Sequence, residues 1–133
     1  MKAIVNEMLQ LKSWAVVGAT RTTAKFGYKI FDRLNRCGYQ VVPVNPMYDE
    51  VNGIACKPSI KETTGIEVVN VVVGPDKAYD LLDDLVDQGI KYVWFQPGAY
   101  NDKVIQKASS LDLKVVYGYC VLVELGELPF CPI

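Results

Sequence analysis

Short apolar runs alternate with amphipathic segments along this chain. Five of the runs are rich in β-branched and aromatic residues, and they cover residues 14–17, 40–44, 68–73, 92–95 and 114–117. Apolar runs of this length, without regular polar alternation, are typical of parallel strands that are covered on both faces. The pattern therefore predicts five strands of one mainly parallel sheet.

Around these runs, apolar residues recur every three to four positions, which predicts helices. The helical pattern is found in residues 3–11 and 27–36, and again in the segments that follow the third and fourth strands. We expect Asp76 to cap the third of these helices, and Asn101 or Asp102 to cap the fourth.

Strands that alternate with helices at this spacing form parallel sheets with right-handed crossovers and helices on both faces. Residues 47–64 interrupt the alternation, and we expect a loop there with a short helix near residues 59–63. The apolar residues after Gly118 are expected to pack back on the body. The sequence thus predicts a single Rossmann-like, doubly wound α/β domain over residues 1–133, with a five-stranded sheet.

The first four predicted strands end in residues that stop a β-ladder or bring backbone close to a ligand. These ends are Gly18-Ala19-Thr20, Pro43-Val44-Asn45-Pro46, Gly74-Pro75 and Gln96-Pro97-Gly98. In doubly wound sheets, ligands bind at the carboxyl ends of the strands, near the point where the strand order reverses. We therefore expect the four ends to outline a single cleft.

The loop after the first strand is a candidate phosphate site. A strand, a loop that carries Gly18, and a helix that begins near Gly27 form the arrangement by which α/β proteins present backbone N–H groups to phosphate. The loop is not a complete G-x-G-x-x-G pattern, because Thr20 stands at the second glycine position. As a bare motif it is therefore weak evidence for a dinucleotide.

The end of the second strand also departs from a dinucleotide site. An Asp or Glu is usual there and binds the adenosine ribose, whereas this chain has Val44, Asn45 and Pro46. The loop instead carries two cations, Arg21 and Lys25. This combination disfavours NAD and suits an adenine nucleotide with an additional phosphate, such as NADP or coenzyme A.

Composition narrows the functions that such a fold could carry. The net charge is −1, so the chain lacks the excess of basic residues that is typical of nucleic-acid binders. No apolar run approaches the ~20 residues of a membrane span. The chain has no histidine, which removes the commonest general base. We expect a cytoplasmic protein that binds neither nucleic acid nor membrane. Its four cysteines lack metal-ligand spacing and are expected to be reduced thiols: Cys37, Cys56, Cys120 and Cys131.

Five blocks of the sequence, in order, resemble the small, stand-alone CoA-binding domain proteins. These are similar to the CoA-binding N-terminal domain of the succinyl-CoA synthetase α subunit. The blocks are VVGATRTTAKFGYKIFDRLNRCGYQVVPVNP, NGIACKPSI, VVNVVVGPDKA, VWFQPGAYN and VVYGYC. The last block departs from the family, which often has Asp-Arg where this chain has Gly118-Tyr119.

The resemblance implies roles for individual residues. Five of them would bind the CoA phosphates: Gly18, Ala19, Thr20, Arg21 and Lys25. Gly27 would allow a close approach where the helix begins. The remaining site residues would border the adenosine end (Val44, Asn45, Pro46), lie beside the adenine or the pantetheine arm (Val73, Gly74, Pro75), or face the cleft (Gln96, Gly98).

We therefore expect a module that binds coenzyme A or an acyl-CoA and that catalyses no reaction by itself, acting alone, with a protein partner or as a homo-oligomer. The alternative is an NAD(P)-dependent oxidoreductase or redox sensor. A third hypothesis is a protein-interaction module with a vestigial cleft.

Overall fold

The computed structural model describes residues 1–128 and residue 131. Its α-helices are α1 (Lys2–Leu9), α2 (Phe26–Arg36), α3 (Pro75–Asp87), α4 (Asp102–Ser110) and α5 (Val121–Leu125). Its strands are β1 (Ser13–Val17), β2 (Gln40–Val44), β3 (Glu50–Val51), β4 (Ile54–Ala55), β5 (Val68–Val71), β6 (Tyr92–Phe95) and β7 (Lys114–Val116). Within this part of the chain, none of the helices is long and apolar enough to cross a membrane.

Five of the strands form one parallel sheet in the order β2-β1-β5-β6-β7. In chain order, β1 is the first strand of the sheet. The next strand, β2, pairs with one side of β1, and β5 pairs with the other side. The strand order therefore reverses between β1 and β5, which is the place where doubly wound sheets bind ligands. The predicted α/β class, with a five-stranded parallel sheet and a Rossmann-like fold, is confirmed.

Two apolar layers enclose the sheet. Trp14 and Val16 of β1 face a layer that contains α1, α2 and α5, whereas Ala15 faces a layer that contains α3 and α4. The alternation follows from the strand geometry, because successive side chains point to opposite faces. Both faces are covered, which explains why the strands are apolar throughout. Trp94 of β6 is fully buried in the first layer.

Two predicted helix caps had different outcomes. Asn101 caps α4, since its side chain accepts a hydrogen bond from the Val104 amide at 3.0 Å. Asp76 was expected to cap α3, but the helix begins two residues earlier than that cap implies, with Gly74 as its N-cap. Pro75 takes the first helical position, where its fixed φ fits and its missing N–H costs nothing.

The segment 47–64 contains more structure than predicted. The expected short helix is a 3-10 turn, Ile60–Glu62, and it is preceded by a hairpin of β3 and β4 that was not predicted. Asn52 and Gly53 form the turn of this hairpin with φ values of 51° and 80°. An Asn-Gly pair is favoured there because both central residues need a positive φ.

The cysteine prediction was wrong for one pair. Cys37, at the end of α2, forms a disulfide with Cys131, which lies 94 residues further along the chain. Cys56 and Cys120 are free thiols, as predicted. The disulfide lies beside α5, through which the predicted tail packs against α2. Residues 129, 130, 132 and 133 of that tail lie outside the described residues.

Candidate functional site

A cleft with two lobes opens at the carboxyl ends of β1 and β5. The large lobe has a volume of about 820 Å³ and the small lobe about 480 Å³. The two lobes share four lining residues, Gly18, Asn45, Met47 and Val73. The cleft therefore lies where the strand order reverses, as the topology predicts.

Gly27 brings the start of α2 against the end of β1. A Cβ atom at Gly27 would lie 2.2 Å from the Gly18 carbonyl oxygen, so only glycine fits there without a backbone shift. Gly18 itself has a φ of 103°, a conformation that favours glycine. Together the two glycines place the N-terminus of an 11-residue helix at the wall of the large lobe.

The N-terminus of α2 is suited to an anion. The first four N–H groups of a helix have no partner within the helix, and they carry its positive partial charge. Lys25 is the N-cap residue, and within residues 1–128 and 131 no side-chain hydrogen bond caps this helix end. Lys25 and Phe26 line the large lobe. This end of the cleft therefore offers backbone donors and one ammonium group.

Asn45 fixes the glycine loop to the end of β2. Its Nδ2 donates to the Ala19 carbonyl oxygen at 2.8 Å, and its Oδ1 accepts from the Met47 amide at 2.9 Å. The side chain that stands where a dinucleotide site has a carboxylate is thus occupied in holding two loops together. The position therefore has no carboxylate for a ribose.

The hydroxyl groups of Thr20 and Tyr48 form a hydrogen-bonded pair at the wall of the large lobe. Thr20 Oγ1 and the Tyr48 hydroxyl oxygen are 2.9 Å apart, and both residues line the lobe. The Thr22 amide also donates to Thr20 Oγ1, at 3.2 Å. The hydrogen bond with Thr20 lowers the pKa of Tyr48 below its ordinary value.

The opposite wall is made by Gln96 and Cys120. Gln96 is only 4% exposed, and its Nε2 donates to Cys120 Sγ at 3.4 Å. Its Oε1 accepts from the Val121 amide at 3.0 Å. The amide is therefore oriented at both ends, and it fixes the start of α5 beside the cleft.

The structure brings most of the predicted site residues together. Eight of them line the large lobe: Gly18, Thr20, Lys25, Gly27, Asn45, Val73, Gln96 and Gly98. Val44 and Pro46 line the small lobe. Ala19 is fully buried behind the loop, and only its carbonyl oxygen takes part, through Asn45. Gly74 and Pro75 border a separate, shallow depression at the start of α3.

Arg21 lies away from both lobes. Its Nε donates to the Glu50 carbonyl oxygen at 2.8 Å, and its Nη2 lies 3.0 Å from Glu50 Oε1. The guanidinium group is thus engaged with the hairpin of β3 and β4. Of the two cations predicted for the loop, Lys25 faces the cleft and Arg21 does not.

The sequence reasoning missed several lining residues. Met47 and Tyr48 directly follow Pro46, so their position after a strand end was an available signal. Lys77, Asp80 and Asp84 line the small lobe from one face of α3. Their spacing of three to four residues was also visible, but only the order of the strands shows which face of α3 turns toward the cleft.

Comparisons with known proteins identify the family and several relatives of this chain. The model of the CoA binding domain family matches residues 12–126. The uncharacterized protein YneT of Bacillus subtilis is 28% identical over 124 residues, which are 92% of each chain. The ADP-forming acetate–CoA ligase of Methanocaldococcus jannaschii is 33% identical over 81 residues, which are 60% of this chain and 12% of the ligase. A solved structure of a hypothetical protein from Pyrococcus horikoshii OT3 superposes with a TM-score of 0.88, at 33% identity, over 96% of this chain and 90% of that chain.

Proposed function

The chain belongs to the CoA binding domain family, and we propose that it binds coenzyme A or an acyl-CoA in the two-lobed cleft without catalysing a reaction on its own. The main support is one observation: the uncapped N-terminus of α2 and Lys25 face the large lobe, where the strand order reverses. A molecule with several phosphates finds backbone donors and a cation there.

The two lobes suit the two ends of coenzyme A. Pro46, Pro58 and Ile60 give the small lobe apolar walls, which suit an adenine ring. Lys25 and Thr20 offer an ammonium group and a hydroxyl to the phosphates in the large lobe. The pantetheine arm and its thiol would extend toward Gln96 and Cys120 on the opposite wall.

The resemblance to the ligase does not imply that this chain has ligase activity. The similarity spans 12% of the ligase from Methanocaldococcus jannaschii. The chain also has no histidine, and so lacks the commonest general acid–base residue. A binding module is the function that the cleft and the family support together.

Calorimetric titration tests the proposal. We expect saturable binding of CoA, weaker binding of dephospho-CoA, which lacks the 3′-phosphate, and still weaker binding of NADPH. The Lys25→Ala variant should bind CoA about tenfold more weakly, since a lost hydrogen bond to a charged group costs about 1.5 kcal/mol.

Lys91→Ala provides the matched control, because Lys91 is an exposed lysine just before β6, at the amino ends of the parallel strands and so away from the cleft. It should bind CoA as the wild-type chain does. The proposal fails if neither CoA nor acetyl-CoA shows saturable binding at millimolar concentration, or if NADPH binds more tightly than CoA.

A further inference from the structure

We propose that Tyr48 contacts the CoA phosphates through its hydroxyl, and that Arg21 is the positioning residue that holds Tyr48 at the cleft. The inference rests on the proposed function and adds two roles to it. Tyr48 becomes a ligand-binding residue, and Arg21 acts through Tyr48 without touching the phosphates.

Arg21 forms an ion pair with Glu50. Two guanidinium nitrogens bind two different oxygens of Glu50, the carbonyl and Oε1, at 2.8 Å and 3.0 Å. The other carboxylate oxygen, Oε2, accepts from the Gly53 amide at the turn of the hairpin. Such a paired arrangement fixes direction as well as distance. Arg21 therefore ties the glycine loop to the β3–β4 hairpin.

Tyr48 lies just before this hairpin in the sequence, and its ring contacts Arg21. The Arg21 guanidinium carbon lies 5.2 Å from the centre of the ring, within the range of a cation–π contact. The hairpin is also joined to α2, since Asn52 Nδ2 donates to the Tyr28 hydroxyl at 3.2 Å. Tyr48 is thus fixed by Arg21 on its face and by Thr20 at its hydroxyl.

The hydroxyl groups at the cleft have one hydrogen to spare for a ligand. Thr20 and Tyr48 have one O–H each, and their mutual hydrogen bond at 2.9 Å uses one of the two. The Thr22 amide donates to Thr20 Oγ1 and so uses no hydroxyl hydrogen. The Thr22 hydroxyl also forms a hydrogen bond with the Tyr48 hydroxyl. When Thr22 is the donor in that bond, one O–H of the Thr20–Tyr48 pair is left for a ligand in the lobe that both residues line. A phosphate oxygen beside Lys25 is an acceptor of the required kind.

The Glu50→Gln variant separates this role of Arg21 from direct phosphate binding, because the two predict changes of opposite sign. If Arg21 positions Tyr48, loss of the Glu50 charge loosens the hairpin, and CoA should bind about three- to tenfold more weakly. If Arg21 binds phosphate, the same change frees the guanidinium and removes a nearby negative charge, so CoA should bind more tightly.

A double-mutant cycle gives the second readout. Tyr48→Phe removes only the hydroxyl, and it should weaken CoA binding about tenfold. Arg21→Ala should weaken binding in the wild-type background but have little further effect in the Tyr48→Phe background, since coupled residues are not additive. Additive effects of the two changes would overturn the positioning role.

The control is Asp32→Asn, which breaks the exposed Arg36–Asp32 ion pair on α2, with its 3.0 Å contact, away from the cleft. It should leave CoA binding unchanged, and thermal melting should confirm that each variant is folded. If the wild-type chain does not bind CoA, the proposed function fails and takes this inference with it. If the wild-type chain binds and Glu50→Gln binds equally well or better, only the inference fails.

Discussion

Gly27 determines how closely α2 approaches the end of β1. We predict that Gly27→Ala costs about 2 kcal/mol or more in the free energy of unfolding, because the new Cβ would meet the Gly18 carbonyl oxygen at 2.2 Å. To relieve this contact, the start of α2 would have to move away from the cleft, which would also weaken CoA binding. Urea unfolding measures the first effect.

Gly74→Ala is the matched control for that change. Gly74 has a φ of −66°, and a Cβ there would meet no atom within 4 Å. Because Gly74 is the N-cap of α3, where alanine is less favourable than glycine, the control should cost about 1 kcal/mol or less. Equal losses in the two variants would contradict the close approach at Gly27.

Tyr39 makes the fold sensitive to alkaline pH. Its hydroxyl donates to the Leu9 carbonyl oxygen at 2.6 Å, and burial raises the pKa of Tyr39 to about 12, above its ordinary value of 10.0. Because the folded-state pKa is the higher one, the unfolded chain binds fewer protons in between. The stability that Tyr39 contributes is therefore complete below pH 10 and is lost as the pH rises toward about 12.

We predict that the wild-type chain loses stability between pH 10 and pH 12 more steeply than the Tyr39→Phe variant does. Urea unfolding at several pH values in this range measures both slopes. Tyr92 also has a raised pKa, through its hydrogen bond to Glu7, so the variant keeps part of the dependence. Equal slopes would show that Tyr39 ionises freely in the folded state.

At the scale of the elements, the central strand β5 carries a buried polar residue that the core does not satisfy. Asn70 is fully buried, and in the part of the chain that the structure describes neither Nδ2 nor Oδ1 has a hydrogen-bond partner. Its neighbours in the sheet are Val16 and Trp94. An unsatisfied buried amide costs free energy, and an apolar side chain of similar shape removes that cost.

We predict that Asn70→Leu stabilises the chain by about 1 kcal/mol in urea unfolding. Asn101→Ala is the contrasting variant, because the Asn101 side chain caps α4, and its loss should destabilise by about 1 kcal/mol. A destabilising effect of Asn70→Leu would mean that the amide makes hydrogen bonds that stabilise the fold.

The main elements were predictable because their signals are local. Apolar runs predicted the five strands of the parallel sheet, and the helical periodicity of apolar residues predicted α2, α3 and α4. The β3–β4 hairpin was missed because each strand has two residues, too few for a pattern, although its Asn52-Gly53 turn was visible. The site was predictable where strand ends define it. The position of Arg21 was not, because its partner Glu50 lies 29 residues away.

At the scale of the whole molecule, the Cys37–Cys131 disulfide joins the end of α2 to the segment after α5. The starts of both helices border the large lobe, through Gly27 and Cys120. A bond between residues 94 positions apart restricts the unfolded chain strongly, and such bonds typically contribute about 2–4 kcal/mol. No local pattern predicts this pair, since only the fold brings the two residues together.

We predict that a thiol reductant lowers the melting temperature of the wild-type chain by several degrees, while Cys37→Ser melts at the reduced value with or without reductant. Cys120→Ser is the control and should keep the response to reductant, because Cys120 is a free thiol. Mass spectrometry after alkylation counts the free thiols. A wild-type chain with four free thiols before reduction would contradict the disulfide.

We propose that CoA binds at the carboxyl ends of β1 and β5. Titration of isotope-labelled protein with CoA, followed by amide NMR shifts, tests it most directly. Binding in the cleft predicts saturable shifts at Gly18, Thr20, Gly27, Tyr48 and Gln96, with little change at Lys91 and Lys114, which lie at the amino ends of the strands. Absence of shifts at millimolar CoA, or saturable shifts confined to the amino ends of the strands, would contradict binding in the cleft.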